Sequence, residues 1–328
     1  MTLIQPNFTN LTQGPRDGFG AGIMVAAKQN PRVVALCSDL DESVRLATFA
    51  HNFPNQFVEV GVAEQNLVGV AAGLALGGLK PFAASYAAFN PGRNWDQLRV
   101  SVCYSNLPVT IVGGHAGLTV GGDGASHQIL EDIALTRVLP NLTVIVPCDA
   151  AQAYAATLAL VDHSGPAYLR LSRVDTPDLT DGLNFKIGQA QILRPGTDLT
   201  IFATGVMVAK ALQAAQTLQI HNLQAQVINL HTIKPIDVTA IVRAANQSGV
   251  IVTAEEHQIY GGLGSAVAEV VTQNLGHQIT QPTVIEMVAV NDCFGESGPA
   301  DAVMEKYHLT TEAIVAAAEK ALRRRAQL

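Results

Sequence analysis

Short apolar runs rich in β-branched residues recur along this chain and are separated by stretches of helical character. They cover residues 32–38, 109–113, 143–147, 199–203, 225–230, 250–254 and 283–288. Continuous apolar strands of this kind are typical of parallel sheets that helices cover on both faces. The sequence therefore predicts an α/β fold of mostly parallel sheets wrapped by helices.

Length and one polar segment predict two domains. The chain has 328 residues, whereas a single domain usually has about 150. Residues 174–182 read VDTPDLTDG, a polar segment with Pro and Gly and without periodicity, which is typical of a connection. We therefore predict a first domain over residues 1–175, a linker over residues 176–187 and a second domain over residues 188–328.

Composition restricts the partners that the chain can have. Charged residues make up only 14% of it, below the ~25% of average soluble domains, so either the core is large or a partner covers much of the surface. The net charge of −7 argues against nucleic acid as a partner. The first residues are polar and the longest apolar run has 13 residues, too short to span a membrane. We expect a cytoplasmic protein without a membrane partner.

The cysteines predict neither a disulfide framework nor a zinc site. Cys37, Cys103, Cys148 and Cys293 lie far apart and lack the paired spacing of metal ligands. We expect all of them to be reduced and buried.

One carboxylate, Glu64, stands where a β-type run that starts at Phe57 ends and an apolar helix begins. From Leu67 to Leu79 every residue is apolar or Gly, which predicts a helix buried on all sides and Glu64 at the edge of a dry interior. A carboxyl group in such a place can share a proton with a ligand. The alternative is that Glu64 only caps its helix.

The densest polar cluster, GGHAGLTVGGDGASHQ, covers residues 113–128 directly after a predicted strand. Gly, His, Asp, Ser and Thr occupy most of its positions, a composition typical of a loop that lets a ligand approach closely. A glycine-rich surface turn with incidental histidines is the alternative. The cluster is therefore a candidate binding loop.

Together these segments resemble the transketolase family. VGVAEQN is similar to its VGIAEQN element, SYAAF to its [ST]-[FY]-x-x-F element, and residues 113–128 to its H-D-S-I-G-x-G-E-D-G-P-T-H-Q loop. EEHQIYGGLGS at residues 255–265 and FGESG at residues 294–298 match elements of the second domain. Almost the whole chain looks like the C-terminal half of a transketolase made as a separate subunit, a pyrimidine-binding domain followed by a C-terminal domain.

The resemblance implies a thiamine diphosphate site. Glu64 would bind N1′ of the aminopyrimidine and promote the activation of the cofactor. Phe89 would be the principal residue stacked on that ring and Tyr86 its neighbour, while Asp39 and Leu40 match the turn that leans on the thiazolium. As isolated residues, the two aromatics would be ordinary core residues.

The resemblance also implies a site for sugar phosphates. His115 and His127 would contact substrate oxygens and phosphate, His127 with a catalytic role, and Asp123 would bind the hydroxyl beside the carbonyl carbon. Phosphate would be held by Arg16, Ser43 and Arg173, since guanidinium groups bind phosphate through paired hydrogen bonds. The loop departs from the family at Gly122, usually Glu, and at Ala125, often Pro.

The chain lacks the half of the site that would hold the diphosphate. Residues 122–124, GDG, look like the start of the metal motif of thiamine enzymes, but the nearest candidate Asn, Asn141, lies too close and in a turn. No metal ligand is therefore predicted here. The resemblance implies an N-terminal partner subunit that holds the diphosphate and Mg²⁺ or Ca²⁺, within a heterotetramer. It assigns no catalytic residue to the second domain.

The expected reaction is the transfer of a two-carbon ketol unit between sugar phosphates, as in the pentose phosphate pathway. Rivals are a transketolase-like enzyme for a rarer sugar, a deoxyxylulose phosphate synthase and, with a poorer match to the loop, the β subunit of a 2-oxo acid dehydrogenase. A non-catalytic assembly subunit is the alternative from a different class.

Overall fold

The computed structural model of the protein describes residues 13–328, so residues 1–12 of the predicted first domain lie outside the described part. Its strands are β1 (Val33–Cys37), β2 (Phe57–Glu59), β3 (Lys80–Tyr86), β4 (Thr110–Gly114), β5 (Thr143–Ile145), β6 (Ala167–Arg170), β7 (Gln191–Arg194), β8 (Leu199–Ala203), β9 (Ala225–Asn229), β10 (Thr232–Lys234), β11 (Val250–Gln258) and β12 (Val284–Val290).

Helices alternate with these strands along most of the chain. They are α1 (Pro15–Gln29), α2 (Ala47–Asn52), α3 (Glu64–Leu76), α4 (Trp95–Gln97), α5 (Asp132–Arg137), α6 (Ala150–Asp162), α7 (Met207–Ile220), α8 (Val238–Ser248), α9 (Leu263–Asn274), α10 (Ala300–Lys306) and α11 (Thr311–Arg325). A π-helix, Leu98–Tyr104, continues α4, and 3-10 turns cover Pro54–Gln56 and Leu118–Val120.

The strands form two mostly parallel sheets, which confirms the predicted α/β fold. The first sheet has the order β10-β5-β6-β4-β3-β1-β2, and only β10 runs antiparallel to its neighbour. The second has the order β12-β11-β8-β9-β7, with β7 antiparallel at one edge. Strands such as β1, β4 and β8 are buried along their whole length, as expected for sheets covered on both faces.

The two halves of the chain are joined by a strand pairing and by buried hydrogen bonds, in addition to the segment that connects them. Strand β10 follows β9 of the second sheet but pairs with β5 at the edge of the first. Within the first half, Arg170 Nε donates to Asp132 Oδ2 over 2.7 Å, and across to the second half Arg170 Nη2 donates to the backbone oxygen of Glu256 over 2.8 Å. Arg170 is 3% exposed and Asp132 is fully buried. Both halves therefore share one buried polar network.

The segment predicted as a linker lies against the first half. Asp149 Oδ2 accepts hydrogen bonds from the backbone N–H groups of Leu179 and Thr180, over 2.9 and 2.6 Å. The same carboxylate caps α6 by accepting from the N–H of Gln152. The segment is thus fixed by hydrogen bonds at its start.

Two predictions about burial are wrong for this chain taken alone. Helix α3 ends at Leu76 rather than Leu79, and one of its faces is open, with Gly69 and Gly73 exposed and Leu76 75% exposed. Cys293 is exposed, while the other cysteines are buried. Within residues 13–328, no helix is both long and apolar enough to cross a membrane.

Candidate active site

The predicted site residues cluster at one edge of the first sheet. Strands β1, β3, β4 and β6 are parallel neighbours, so their carboxyl ends meet at the same edge. Each is followed within a few residues by a predicted site residue: Asp39 and Ser43 after β1, Phe89 after β3, His115 after β4 and Arg173 after β6. The order of the strands brings together residues that are distant in sequence.

Glu64 is the first residue of α3 and is only 3% exposed. Its Oε2 accepts a hydrogen bond from Arg93 Nη1 over 2.9 Å, and its backbone oxygen accepts from Asn94 Nδ2 over 3.1 Å. The N-terminus of a helix favours a carboxylate, because unpaired N–H groups point towards it. Glu64 is therefore a buried carboxylate that is held from its side chain and its backbone.

The predicted aromatics form a layer beside this carboxylate. The rings of Tyr86 and Phe89 lie with their centroids 6.3 Å apart and their planes at 9°. The guanidinium carbon of Arg93 lies 4.6 Å from the centroid of Phe89. Phe89 and Glu64 thus hold one flat cation between them, through its face and through its N–H edge.

Both predicted histidines pack on these aromatics. The ring of His115 stacks on Tyr86 with centroids 3.9 Å apart, and His127 lies edge-on to Phe89 at 5.3 Å. Burial, followed by the positive charge of Arg16, lowers the pKa of His115 to about 3. His115 is therefore a neutral imidazole at physiological pH, able to accept or donate a hydrogen bond without carrying a charge.

The predicted phosphate ligands meet beside His115. Arg16 Nη1 donates to the backbone oxygen of Ser43 over 2.9 Å and lies 3.4 Å from His115 Nε2, while Arg16 Nη2 donates to the backbone oxygen of Arg173 over 2.7 Å. The Ser43 hydroxyl is 3.2 Å from that of Tyr86. Arg45, which is paired with Asp17 over 2.7 Å, adds a third guanidinium group. This side of the cluster is built to attract an anion.

Three predicted residues lie at the rim. Asp39 is exposed with a φ of 58°, and its N–H donates to Glu59 Oε1 over 2.8 Å. Leu40 is partly buried and packs on the same apolar cluster as Tyr86. Asp123 is exposed on the loop that follows β4. No hydrogen bond within residues 13–328 joins Asp39 or Asp123 to Tyr86, His115 or His127.

Sequence reasoning missed Arg93 and Arg45. Arg93 stands four residues after Phe89 on a helical turn, and its role becomes visible only when Glu64 is placed beside it. Arg45 follows Ser43 by two residues and has a φ of 64°. Of these two residues, only Arg93 could have been indicated by its spacing, since it lies four residues after Phe89 and positions i and i+4 share a helix face.

The glycine-rich turn at the start of α9 holds an anion that belongs to the chain itself. Glu255 Oε2 accepts from the N–H of Leu263 over 2.7 Å, and Oε1 accepts from that of Gly264 over 2.8 Å. A helix N-terminus is a ready anion site, and here a buried carboxylate fills it. The residues described, 13–328, contain no group of three or more His, Cys, Asp or Glu placed to hold a metal ion.

Comparison with known domain families decides the relationship. The family model described as transketolase, pyrimidine binding domain, matches residues 15–178, and the one described as transketolase, C-terminal domain, matches residues 188–314. The chain belongs to the transketolase family. The resemblance found in the sequence is thereby confirmed, and most of the chain falls within the two matched domains.

Individual relatives match it almost from end to end. The chain is 41% identical over 311 residues to the 6-deoxy-6-sulfo-D-fructose transketolase subunit SqwH of Clostridium sp. (strain MSTE9), a match that covers 94% of this chain and 95% of the relative. It is 38% identical over 301 residues to an apulose-4-phosphate transketolase subunit of Phocaeicola vulgatus, covering 91% and 94%. A solved structure described as a split gene transketolase, inactive beta4 tetramer, is similar with a TM-score of 0.88 and 43% identity, covering 96% of this chain and 100% of that one.

The residues present fit the aminopyrimidine of thiamine diphosphate. That ring is flat and aromatic, and one edge carries a nitrogen able to share a proton with a carboxylate. Glu64 and Phe89 already hold a flat group by its edge and its face, the guanidinium of Arg93. A ligand of that shape would therefore find both contacts in place once Arg93 moves aside.

The neutral state of His115 predicts a pH dependence of stability. Its pKa is about 3 in the folded chain against an ordinary value of 6.5, so below pH 6.5 the unfolded chain takes up a proton that the folded chain does not. Stability should fall with pH in that window by up to about 1.4 kcal/mol per pH unit from this residue. The His115→Gln variant lacks the group, so chemical denaturation from pH 7 to pH 5 should show the wild type losing stability relative to it. A constant difference would contradict the neutral state.

Proposed function

We propose that this chain is the C-terminal-half subunit of a split transketolase and transfers two-carbon ketol units between sugar phosphates with thiamine diphosphate. One observation carries the proposal. The buried carboxylate of Glu64 and the stacked ring of Phe89 lie at the same sheet edge as His115, His127 and a group of arginines. A proton-sharing group, a flat binding surface and an anion site are the parts that such a transfer needs from this half.

When bound, thiamine diphosphate supplies a nucleophilic carbon that accepts the ketol unit and passes it on. Glu64 would hold a proton against N1′ of the aminopyrimidine, and Phe89 and Tyr86 would fix the ring and exclude water from it. Asp39 and Leu40 would border the thiazolium.

His115 and His127 would hydrogen-bond the substrate oxygens, and Asp123 the neighbouring hydroxyl. Arg16, Ser43 and Arg173 would hold the phosphate.

The remaining half of the cofactor site is assigned to a partner. We propose an N-terminal transketolase subunit that binds the diphosphate and its Mg²⁺ or Ca²⁺, with two copies of each subunit in a heterotetramer. Two relatives that match along nearly their whole length are named as transketolase subunits, and the similar solved structure is described as a split gene transketolase, inactive beta4 tetramer. The open face of α3, with Leu76 75% exposed, is a surface for such a partner.

The domain boundaries remain as proposed, with a pyrimidine-binding domain over residues 1–175, a linker over 176–187 and a C-terminal domain over 188–328. The family matches to residues 15–178 and 188–314 support them.

A sugar with a different anionic group is the second candidate. The names of two relatives refer to a sulfonated and a phosphorylated sugar. Both groups are tetrahedral oxyanions that guanidinium donors bind. We therefore propose sugar phosphates as substrates and include the sulfonated ketose as a comparison in the assay.

Removing a guanidinium group should affect anionic donors selectively. We expect Arg16→Ala and Arg173→Ala to lower kcat/KM for a phosphorylated ketose by about 10- to 100-fold, since a lost charged hydrogen bond costs about 1.5–3 kcal/mol. For an unphosphorylated ketol donor, kcat/KM should fall far less. The measurement is the ratio of the two losses in the enzyme assembled with its partner.

The control for this experiment is Arg194→Ala. Arg194 lies on β7 of the second half, where its Nη2 donates to Gln219 Oε1 over 2.6 Å. The Arg194→Ala variant should leave kcat/KM unchanged for both donors. Equal losses for both donors in the Arg16 and Arg173 variants would contradict the phosphate role, and a greater loss for the sulfonated ketose would favour the second candidate.

A further inference from the structure

The loop that carries the predicted substrate residues is held from the second half of the chain. We call residues 115–128 the substrate loop. Glu256, on β11, is 2% exposed, and its Oε1 accepts a hydrogen bond from the N–H of Thr119 over 2.6 Å. Thr119 stands in the middle of the loop, within the 3-10 turn Leu118–Val120. A carboxylate of the C-terminal domain therefore ends inside a loop of the pyrimidine-binding domain.

The loop is shaped to receive this carboxylate. Gly117 has a φ of 85°, and a Cβ added to it would lie 2.2 Å from the carboxyl carbon of Glu256. Any side chain at this position would displace the carboxylate. The close approach of Glu256 thus explains why glycine stands there.

The FGESG segment holds the other end of the loop. Gln128 Nε2 donates to the backbone oxygens of Glu296 and Leu118, over 3.0 and 3.2 Å. A Cβ added to Gly295 would lie 2.0 Å from Gln128 Oε1 and 2.7 Å from Leu118 Cδ2. Both motifs of the second domain that received no role from the sequence therefore pack on the same loop.

We propose that the C-terminal domain is a working part of the substrate site, in which Glu256 and the segment 294–298 hold the substrate loop so that it presents His115, Asp123 and His127. Glu256 is a positioning residue, since it contacts the loop and not the predicted ligands. A loop rich in glycine has many conformations to lose, and fixed contacts at Thr119 and Gln128 reduce that cost before a sugar binds. The role in sugar binding rests on the proposed function, whereas the hold on the loop is a property of the chain.

Hydrogen exchange on the full chain tests the hold directly. Glu256→Ala should speed the exchange of the Thr119 amide by at least about tenfold, because the buried N–H loses its acceptor. Glu256→Gln keeps an acceptor oxygen of the same reach and should stay within about threefold of wild type. The control is Glu286→Ala on the neighbouring strand β12, where the carboxylate pairs with Lys320 and Arg324 and not with the loop. Equal exchange in the two alanine variants would overturn the proposal.

A glycine pair gives a second test from the opposite side. Gly295→Ala should push Gln128 away and speed exchange across residues 118–128 by at least about tenfold. Gly122 lies within the loop, but nothing stands within 4 Å of a Cβ added to it. Gly122→Ala should therefore keep the exchange rate within about threefold of wild type. If Gly295→Ala changes exchange no more than Gly122→Ala does, segment 294–298 does not hold the loop.

Kinetics of the assembled enzyme separate positioning from general damage. Glu256→Ala should raise KM for the sugar at least about tenfold but leave proton exchange at C2 of the cofactor, which needs Glu64 and no sugar, within about threefold. Rescue of KM by Glu256→Gln would complete the case. Parallel loss of both readouts would show a merely structural role and overturn the proposal. If the wild-type assembly transfers no ketol unit, the proposed function fails, and the exchange comparisons still decide whether Glu256 holds the loop.

Discussion

Replacement of Glu64 by Gln is expected to slow deprotonation at C2 of the bound cofactor by about 10²-fold or more, because the amide cannot share a proton with N1′. The fold should survive. Gln is nearly isosteric and keeps a carbonyl oxygen that can accept the hydrogen bond that Arg93 Nη1 now makes over 2.9 Å. The backbone contact between Glu64 and Asn94 does not depend on the side chain.

The measurement is hydrogen–deuterium exchange at C2 in the enzyme assembled with its partner. Glu42→Gln provides a matched control, since Glu42 is an exposed carboxylate in the turn after β1 at the same sheet edge. It should leave the exchange rate unchanged, and both variants should unfold at the wild-type temperature. An unchanged rate in Glu64→Gln would remove Glu64 from the proposed mechanism.

Replacement of Arg170 by Ala should cause the largest loss of stability. Its partner Asp132 is fully buried and accepts hydrogen bonds from Arg170 Nε and from the Tyr168 hydroxyl, both over 2.7 Å. Removal of the guanidinium leaves a buried carboxylate without its counter-charge and cuts the link to the backbone of Glu256. A loss of about 3–5 kcal/mol in the free energy of unfolding is expected.

Chemical denaturation measures this loss. The control is Lys306→Ala, which breaks an ion pair of similar length, 2.6 Å to Glu296, whose partners are 59% and 44% exposed. Exposed pairs contribute about 0–1 kcal/mol. If the two variants lose the same small amount, the buried network does not join the two halves as described.

The periodic elements could be predicted from the sequence because burial on both faces leaves a plain pattern. Strands β1, β4 and β8 read as continuous apolar runs and are buried throughout. Strand β3, KPFAASY, was missed, although it lies in the middle of the first sheet, because alanines replace the β-branched residues that mark a strand. Strand β10 has three residues and pairs with the other half of the chain, so no local pattern could reveal its place.

Site residues were predicted where a single residue stands out in its local sequence. They were missed where the role depends on a contact between two residues. Glu64 stood out as a charge at the start of an apolar helix, and the structure places it there, 3% exposed. Arg93 gains its meaning from Glu64 and Phe89 together, at sequence separations of 29 and four residues. The contact of Glu256 with Thr119 spans 137 residues. Such contacts depend on the packing of elements, which local sequence does not encode.

The open face of α3 shows a similar limit. Its sequence is apolar on every side from Leu67 onward, which predicts complete burial, yet Leu76 is 75% exposed in the chain alone. An exposed apolar face such as that of α3 is typical of a surface that is covered in an assembly, and the single chain leaves it open. The same feature that made this prediction wrong for the chain supports the proposed partner.

A mixing titration tests the split-subunit proposal most directly. The purified chain, supplied with thiamine diphosphate and Mg²⁺, is combined with increasing amounts of an N-terminal subunit that carries the diphosphate and metal motif, and ketol transfer is measured at each ratio. We expect no activity from the chain alone, a linear rise with added partner and saturation near equal stoichiometry. Full turnover by the chain alone, after all contaminating partner has been removed, would contradict the proposal.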